Sequence, residues 1–312
     1  MDRNDRTLAK QILLAVGYTD QFEFPLRRAE IKERLLALLP DVSVSTTHFH
    51  QVLKKMQTSG LLNQRDSFFS IPSVQSSAKE LSHTRTARTK FAKKKRRESR
   101  ELIAFLGKIP WISGVLITGS VAMNNATQDD DVDFLIITKP HSLWLVRPVV
   151  VAYAWYKKKR RSWKREEKNS WCFNFWLEET QLGLPKNKRS IYTAYELFQA
   201  EWVLAEPNVF RQYYTTNLWA KSILPKLYQR ARHAQPNIMK SKQLLKSQIA
   251  TVLFWKYPAA WLNAVLYAVQ LVYMLPHRTS ERVGQSFAFF HPRDTHTQVF
   301  ENWKSSLKRL VY

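Results

Sequence analysis

Cysteine is nearly absent: the 312-residue chain has one, Cys172. A single thiol cannot build a disulfide framework or a zinc cage, and such scarcity fits a reducing cytoplasm. Acidic side chains are the minority, 25 against 49 Lys and Arg, which leaves a formal net charge of +24. That excess points to polyanionic partners: nucleic acid, nucleotides or an acidic membrane face. A basic surface that only aids solubility is the plainer alternative. Long apolar runs are also missing. The opening "MDRNDRTLAKQILLAVGYTD" lacks the uncharged core of a signal peptide. The most membrane-like run, Ala259 to Leu275, has 17 residues and is broken by Asn263 and Gln270. A bilayer span needs about 20 apolar residues. Asn263 and Gln270 are seven apart and share a helical face, so a buried helix with a narrow polar stripe is expected. Peripheral membrane contact is the alternative. What is present is a 45% apolar composition, enough for a real core.

The first 75 residues carry three helical patterns and then two short extended runs around Arg65-Asp66. Pro25 stands near the start of the second helix, and Ser45, Thr46 and Thr47 offer caps for the third. This order predicts a winged helix-turn-helix over 1–75. On its recognition helix, His48, His50, Gln51, Lys54 and Lys55 are candidate nucleic-acid contacts, with Arg65 in the wing. A scaffold or docking role fits the same pattern equally. Residues 76–108 form a basic helical connector with Arg85, Arg88, Lys90, Lys93, Lys94, Lys95, Arg96, Arg97 and Arg100. A second basic block runs from Lys157 to Lys168. Either block could neutralise phosphates or be a solvated face.

Between the blocks lies "LITGSVAMNNATQDDDVDFLIIT", Leu116 to Thr138. "GVLITGS" reads as a buried strand ending in a Gly-Ser turn, and "DVDFLIIT" as a second strand with an acidic start. Alternate strand residues share a face, so Asp131 and Asp133 project together while Val132 turns inward. Two carboxylates about 6–7 Å apart along one strand face repel unless a cation sits between them. Hard oxygen ligands suit Mg²⁺ or Mn²⁺. The turn at Gly119-Ser120 adds backbone N–H groups and a hydroxyl that can hold phosphate.

Gly119-Ser120, a ten-residue gap, then Asp131-Val132-Asp133-Phe134 resembles the signature of the DNA-polymerase-beta-type nucleotidyltransferase superfamily. The stretches "YTDQFEFPLRRAEI", "YTAYELFQA" and "FFHPRD" resemble bacterial proteins that join an N-terminal winged-helix region to such a domain. In "IYTAYELFQAEWVLA" and "VFRQYYTTNLWAKSIL" apolar positions recur at three- and four-residue spacing, so 190–312 reads as a helical region. With the winged helix and the connector, the resemblance implies an α+β fold with a nucleotidyltransferase domain over 109–189. It implies that Asp131 and Asp133 bind Mg²⁺ (or Mn²⁺). Gly119 and Ser120 would hold an NTP donor, and a nucleoside monophosphate would pass to a hydroxyl acceptor.

Superfamily members often place a third carboxylate on a later strand. The matching position in "SWCFNFWLEET" is Asn174, which can ligate through its carbonyl but cannot act as a base. Glu178, four residues on, is the candidate substitute, expected on the same strand face as Asn174; a solvated strand end is the alternative. Asp129 and Asp130 read as loop residues that add negative potential. Tyr195 and Glu196 could face the cleft, and His291, Pro292, Arg293 and Asp294 read as a structural turn. A cytoplasmic nucleotidyltransferase is therefore expected. The rival reading is a nucleic-acid-binding regulator whose weakened transferase domain senses nucleotide.

Overall fold

The computed structural model describes residues 2–37, 45–72, 77–160, 168–234, 256–275, 282–290 and 295–308. The N-terminal unit begins with α1 (Arg3–Asp20), capped where the Asp2 side chain accepts from the Asp5 amide. It continues through β1 (Leu26–Arg27), α2 (Arg28–Glu33) and α3 (Thr46–Thr58), whose cap is Ser45. The strands β2 (Asn63–Arg65) and β3 (Phe68–Ser70) form an antiparallel hairpin, with Asp66 at positive φ in its turn. β1 adds to β3, so the sheet order is β1-β3-β2. Leu8, Ile12, Ile31, Phe49, Val52 and Phe69 make this unit's own core.

Ser77 and Glu80 close a capping box that starts α4 (Ala78–Glu98), followed by α5 (Arg100–Leu106). These helices fall within the stretch read as a basic connector. The central sheet comprises β4 (Ile112–Thr118), β5 (Val132–Thr138), β6 (Trp171–Glu178), β7 (Glu201–Ala205), β8 (Arg282–Val283) and β9 (Phe287–Phe289). Its order is β7-β4-β5-β6-β9-β8. β4 and β5 are antiparallel, whereas β5 and β6 are parallel. The crossover between them is α7 (Leu143–Tyr156), as parallel pairing requires a long connection. The fold is mixed α+β.

The region beyond 190 departs from the all-helical expectation. It holds α8 (Ile191–Gln199), α9 (Pro207–Thr216), α10 (Leu218–Lys221), α11 (Pro225–His233), α12 (Lys256–Met274) and α13 (Thr295–Lys308). It also supplies β7, β8 and β9, half of the central sheet. β7 pairs with β4 on one side, and β9 pairs with β6 on the other.

Two apolar cores cover the two faces of this sheet. Leu116, Leu135 and Ile137 pack with Tyr195, Phe198, Tyr213 and Tyr214 from α8 and α9. Val115, Ile117, Phe134 and Ile136 pack with Leu102 of α5, with Trp144 and Val150 of α7, and with Met274 of α12. Along β5, residues 133, 135 and 137 share one face by strand alternation. Asp133 therefore lies on the α8 side.

Candidate functional site

β4 ends at Thr118, directly opposite Asp133 of β5. Gly119 follows with φ +63, a conformation that suits glycine. A Cβ on Gly119 would sit 2.6 Å from Asp133 Oδ2, so the absent side chain is what lets that carboxylate lie against the turn. The short α6 (Gly119–Ala122) then leads the chain into the loop back to β5.

That loop is pinned by basic side chains. Arg96 of α4 donates to the carbonyls of Val121 at 2.7 Å and Ala122 at 3.3 Å, gripping the end of α6. It also bonds Asn124 Oδ1 at 2.7 Å and pairs with Glu201 of β7 at 2.6 Å. Arg85, buried, donates to the Asn124 carbonyl and pairs with Glu30 of α2. Arg88 reaches Asn125 Oδ1, the Phe22 carbonyl and Glu23. Lys95 is 3% exposed and donates to the carbonyls of Gln128 and Asp130 and to Asn169 Oδ1. Burial draws its ammonium below the ordinary lysine range, against the pull of Asp130. Four of the cations expected either to attract a polyanion or to stand in solvent instead hold this loop. Lys90, Lys93, Lys94, Arg97 and Arg100 remain exposed. Residues 161–167 of the second block lie outside the described residues, as do His291, Pro292, Arg293 and Asp294.

Asp130 is an organiser rather than a spare charge. Its carboxylate accepts from Ser120 Oγ at 2.7 Å, from the Thr127 amide at 3.0 Å and from the Thr127 hydroxyl. Burial would raise its pKa, but those hydrogen bonds and Lys95 outweigh burial and hold it below the ordinary aspartate value. Asp129 is exposed and pairs with Lys168 at 2.7 Å.

Asp131 Oδ1 accepts from the Ser170 amide at 3.0 Å, just before β6. Asp133 Oδ1 accepts from the side-chain amide of Asn174 at 2.8 Å. Asn174 Oδ1 in turn accepts from Cys172 Sγ at 2.8 Å. Asn174 thus occupies the expected third position, but it presents a donor to Asp133. Thr118 Oγ1 is buried and has no hydrogen-bond partner among the described residues. Facing Asp133 across the β4–β5 pair, it adds a free oxygen to the same sheet face.

Glu178 is not brought to this cluster. The β5–β6 register shifts between Asp133/Cys172 and Leu135/Phe175, so β6 spends one residue more than β5 there. Such a bulge reverses the alternation, and a one-residue slip sends every later side chain to the other face. Glu178 therefore shares neither the face nor the end of Asn174. It is 3% exposed, which also rules out a solvated strand end. Its carboxylate accepts from the amides of Ser142 at 3.1 Å and Leu143 at 3.4 Å, at the start of α7. Burial pushes its pKa up, with those amides opposing.

Glu196 of α8 feels the charge of Asp133. Burial and, second, the Asp133 charge push it up to about 7. Its neighbour Tyr195 is core, stacked on Tyr18 with ring centroids 4.0 Å apart. The signal for Glu196 in the sequence was slight, because its helix meets the sheet only in three dimensions.

On α3, His48 and Lys55 are drawn to Asp5 of α1, at 2.9 and 2.6 Å. His50, Gln51 and Lys54 remain exposed on that helix, as does Arg65 in the hairpin.

Among the described residues no three His, Cys, Asp or Glu side chains converge as a metal cage. Asp133 and the Thr118 hydroxyl face each other, and Asp131 stands two residues before Asp133. Oxygen donors of this kind suit Mg²⁺, which keeps several waters and is held by one or two carboxylates plus substrate phosphates.

Residues 96–197 match the family model described as nucleotidyltransferase domain. The match begins at the arginine that grips α6 and ends just past Glu196. No curated protein and no solved structure matches the chain.

Proposed function

We propose that this chain, which carries a nucleotidyltransferase domain over residues 96–197, moves a nucleoside monophosphate from an NTP to a hydroxyl acceptor with Mg²⁺ (or Mn²⁺). The observation that carries this reading is the contact between Asp133 and the Gly119 turn, where carboxylate and open backbone meet with no side chain between them.

Asp131 and Asp133 are the residues that would hold the cation, and Thr118 Oγ1 lies beside Asp133. A bound cation supplies charge neutralisation and alignment for the triphosphate. The backbone N–H groups after Gly119 are the phosphate grip in this reading. The Ser120 hydroxyl has committed its only proton to Asp130; its role is to lock the turn. The acceptor oxygen forms a bond to the α-phosphorus as the bond to pyrophosphate breaks. The hydroxyl proton passes to solvent as that bond forms. The pinned loop keeps these groups in register, which is the positional part of the catalysis. The test is Asp131→Asn combined with Asp133→Asn, assayed with labelled NTPs and Mg²⁺ or Mn²⁺. Label transfer at the wild-type rate would refute the assignment.

A second reading concerns residues 1–75. Three helices and a β1-β3-β2 sheet support a winged helix-turn-helix. His50, Gln51, Lys54 and Arg65 form its open polar surface. In this reading the unit binds nucleic acid, either presenting the acceptor or serving a regulator whose transferase domain senses nucleotide. The Asn174 amide on Asp133 favours weakened catalysis. Binding to duplex DNA that weakens steeply with salt is the expected result; no binding at low salt would remove this reading. The cytoplasmic setting rests on the single cysteine of the sequence, which leaves no disulfide to form within the chain.

A further inference from the structure

α7 and α12 pack together through polar as well as apolar groups. Asn263 Oδ1 accepts from the Trp144 amide at 2.8 Å. Gln270 donates to the Trp144 carbonyl at 3.0 Å and accepts from Arg147 at 2.7 Å. Asn263 and Gln270 thus point inward, as their seven-residue spacing foretold. The outward stripe of α12 is Trp261, Val265, Ala268, Val269, Val272 and Tyr273, with no charged residue. The outward stripe of α7 is Pro148, Val149, Ala152, Trp155 and Tyr156, again uncharged. Trp155 is 71% exposed, Trp261 69% and Val272 66%. Scattered exposed apolar residues are ordinary, but two adjoining stripes with no charge are not.

Both helices cover the same core through Trp144, Val150, Leu266, Tyr267 and Met274. Their outward faces therefore look away from the same side of the sheet. Among the described residues, no helix is long and apolar enough to cross a membrane. Lys157, Lys158, Lys159 and Arg160 follow directly on Tyr156; Lys157 pairs with Glu101 at 2.5 Å and Lys159 donates to the Asn169 carbonyl, while Lys158 stands exposed. Arg160 also lies close enough to Arg147 to help burial pull that guanidinium down to about 10. Tryptophan and tyrosine at the edge of an apolar face, with cations alongside, match the chemistry of the headgroup boundary.

We propose that the joined outer faces of α7 and α12 dock on an anionic lipid bilayer, with Trp155, Trp261 and Val272 entering the headgroup–acyl boundary and Lys158 and Arg160 meeting the lipid charges. A protein partner would be expected to supply acids for the cations and a shaped groove. A bilayer needs only a continuous uncharged face and a basic flank, which is what the two helices provide.

The experiment is flotation of the full-length protein with vesicles of phosphatidylcholine alone or mixed with phosphatidylglycerol. Rising with the mixed vesicles, and far less with the neutral ones, is the expected result. Trp261→Glu with Val272→Glu should weaken that binding on the order of tenfold or more. Both positions are exposed, so the thermal midpoint should hold. Brominated acyl chains should quench the unmodified protein's tryptophan fluorescence, which needs no variant. The proposal is overturned if the protein stays in the soluble fraction with mixed vesicles, if the double variant binds equally, or if bromine fails to quench. A concentration-dependent dimer, lost in the same variant without any vesicle binding, would also overturn it and assign the face to a second copy.

Discussion

Asn174 holds Asp133 by a side-chain amide, 2.8 Å from Nδ2 to Oδ1. An amide donor stabilises the ionised aspartate without a cation, whereas a carboxylate there would repel it. Asn174→Asp should therefore split by condition. Without divalent ions the variant should lose about 1–3 kcal/mol, because the amide bond is replaced by like-charge repulsion in a buried setting. With Mg²⁺ it should gain more stability than the wild type does, since a third acid joins the donor set. Thermal melts with and without Mg²⁺ check this; equal magnesium responses in both proteins would contradict it.

Gly119→Ala tests the close approach. The left-handed backbone costs an alanine roughly 1–2 kcal/mol. The new methyl would also displace the Asp133 carboxylate, since it would stand 2.6 Å from Oδ2. Stability should fall modestly and label transfer severely. A variant with near-wild-type transfer would show that Asp133 need not rest on the turn.

Lys95 donates its three protons to two loop carbonyls, Gln128 and Asp130, and to Asn169 Oδ1. Lys95→Met keeps the stem and removes all three donors. Expected losses are about 1–3 kcal/mol in chemical denaturation, with transfer impaired because the loop carrying Asp130 and Asp131 loosens. A basic side chain serving only to attract polyanion would instead change salt dependence and leave stability alone.

Glu196 sets a pH dependence. Its folded pKa of about 7 exceeds the ordinary 4.5, so the fold favours the protonated form. That contribution is complete below about pH 4.5 and is lost as pH rises through 7. Glu196→Gln should flatten the fall in melting temperature over this window. If the wild type and the variant keep parallel stability profiles from pH 4.5 to 7, the glutamate is not perturbed in the fold.

How much of this the sequence disclosed depended on range. Gly119, Ser120, Asp131 and Asp133 sit within one strand–turn–strand unit, and their spacing alone relates them. Asn174 was legible because apolar neighbours mark its strand. Glu178 was misplaced by a bulge, a register event between two chains of hydrogen bonds that no single strand encodes. β7 was missed because the helical spacing of "IYTAYELFQAEWVLA" runs on past Ala200, where pairing with β4 overrides it. The roles of Arg85, Arg88, Lys95 and Arg96 were hidden for a simpler reason. Many of their partners are backbone carbonyls, which every residue has.

Arg85 and Arg88 each touch both the N-terminal unit and the loop, through Glu30 and Asn124 in one case and Phe22 and Asn125 in the other. A fragment trimmed to begin at Ala78 would not be a smaller version of the same fold. It would strand the buried Arg85 without its acid and remove the carbonyl that steadies Asn125. Where the first 75 residues are cut away, the loop between α6 and β5 inherits the wound.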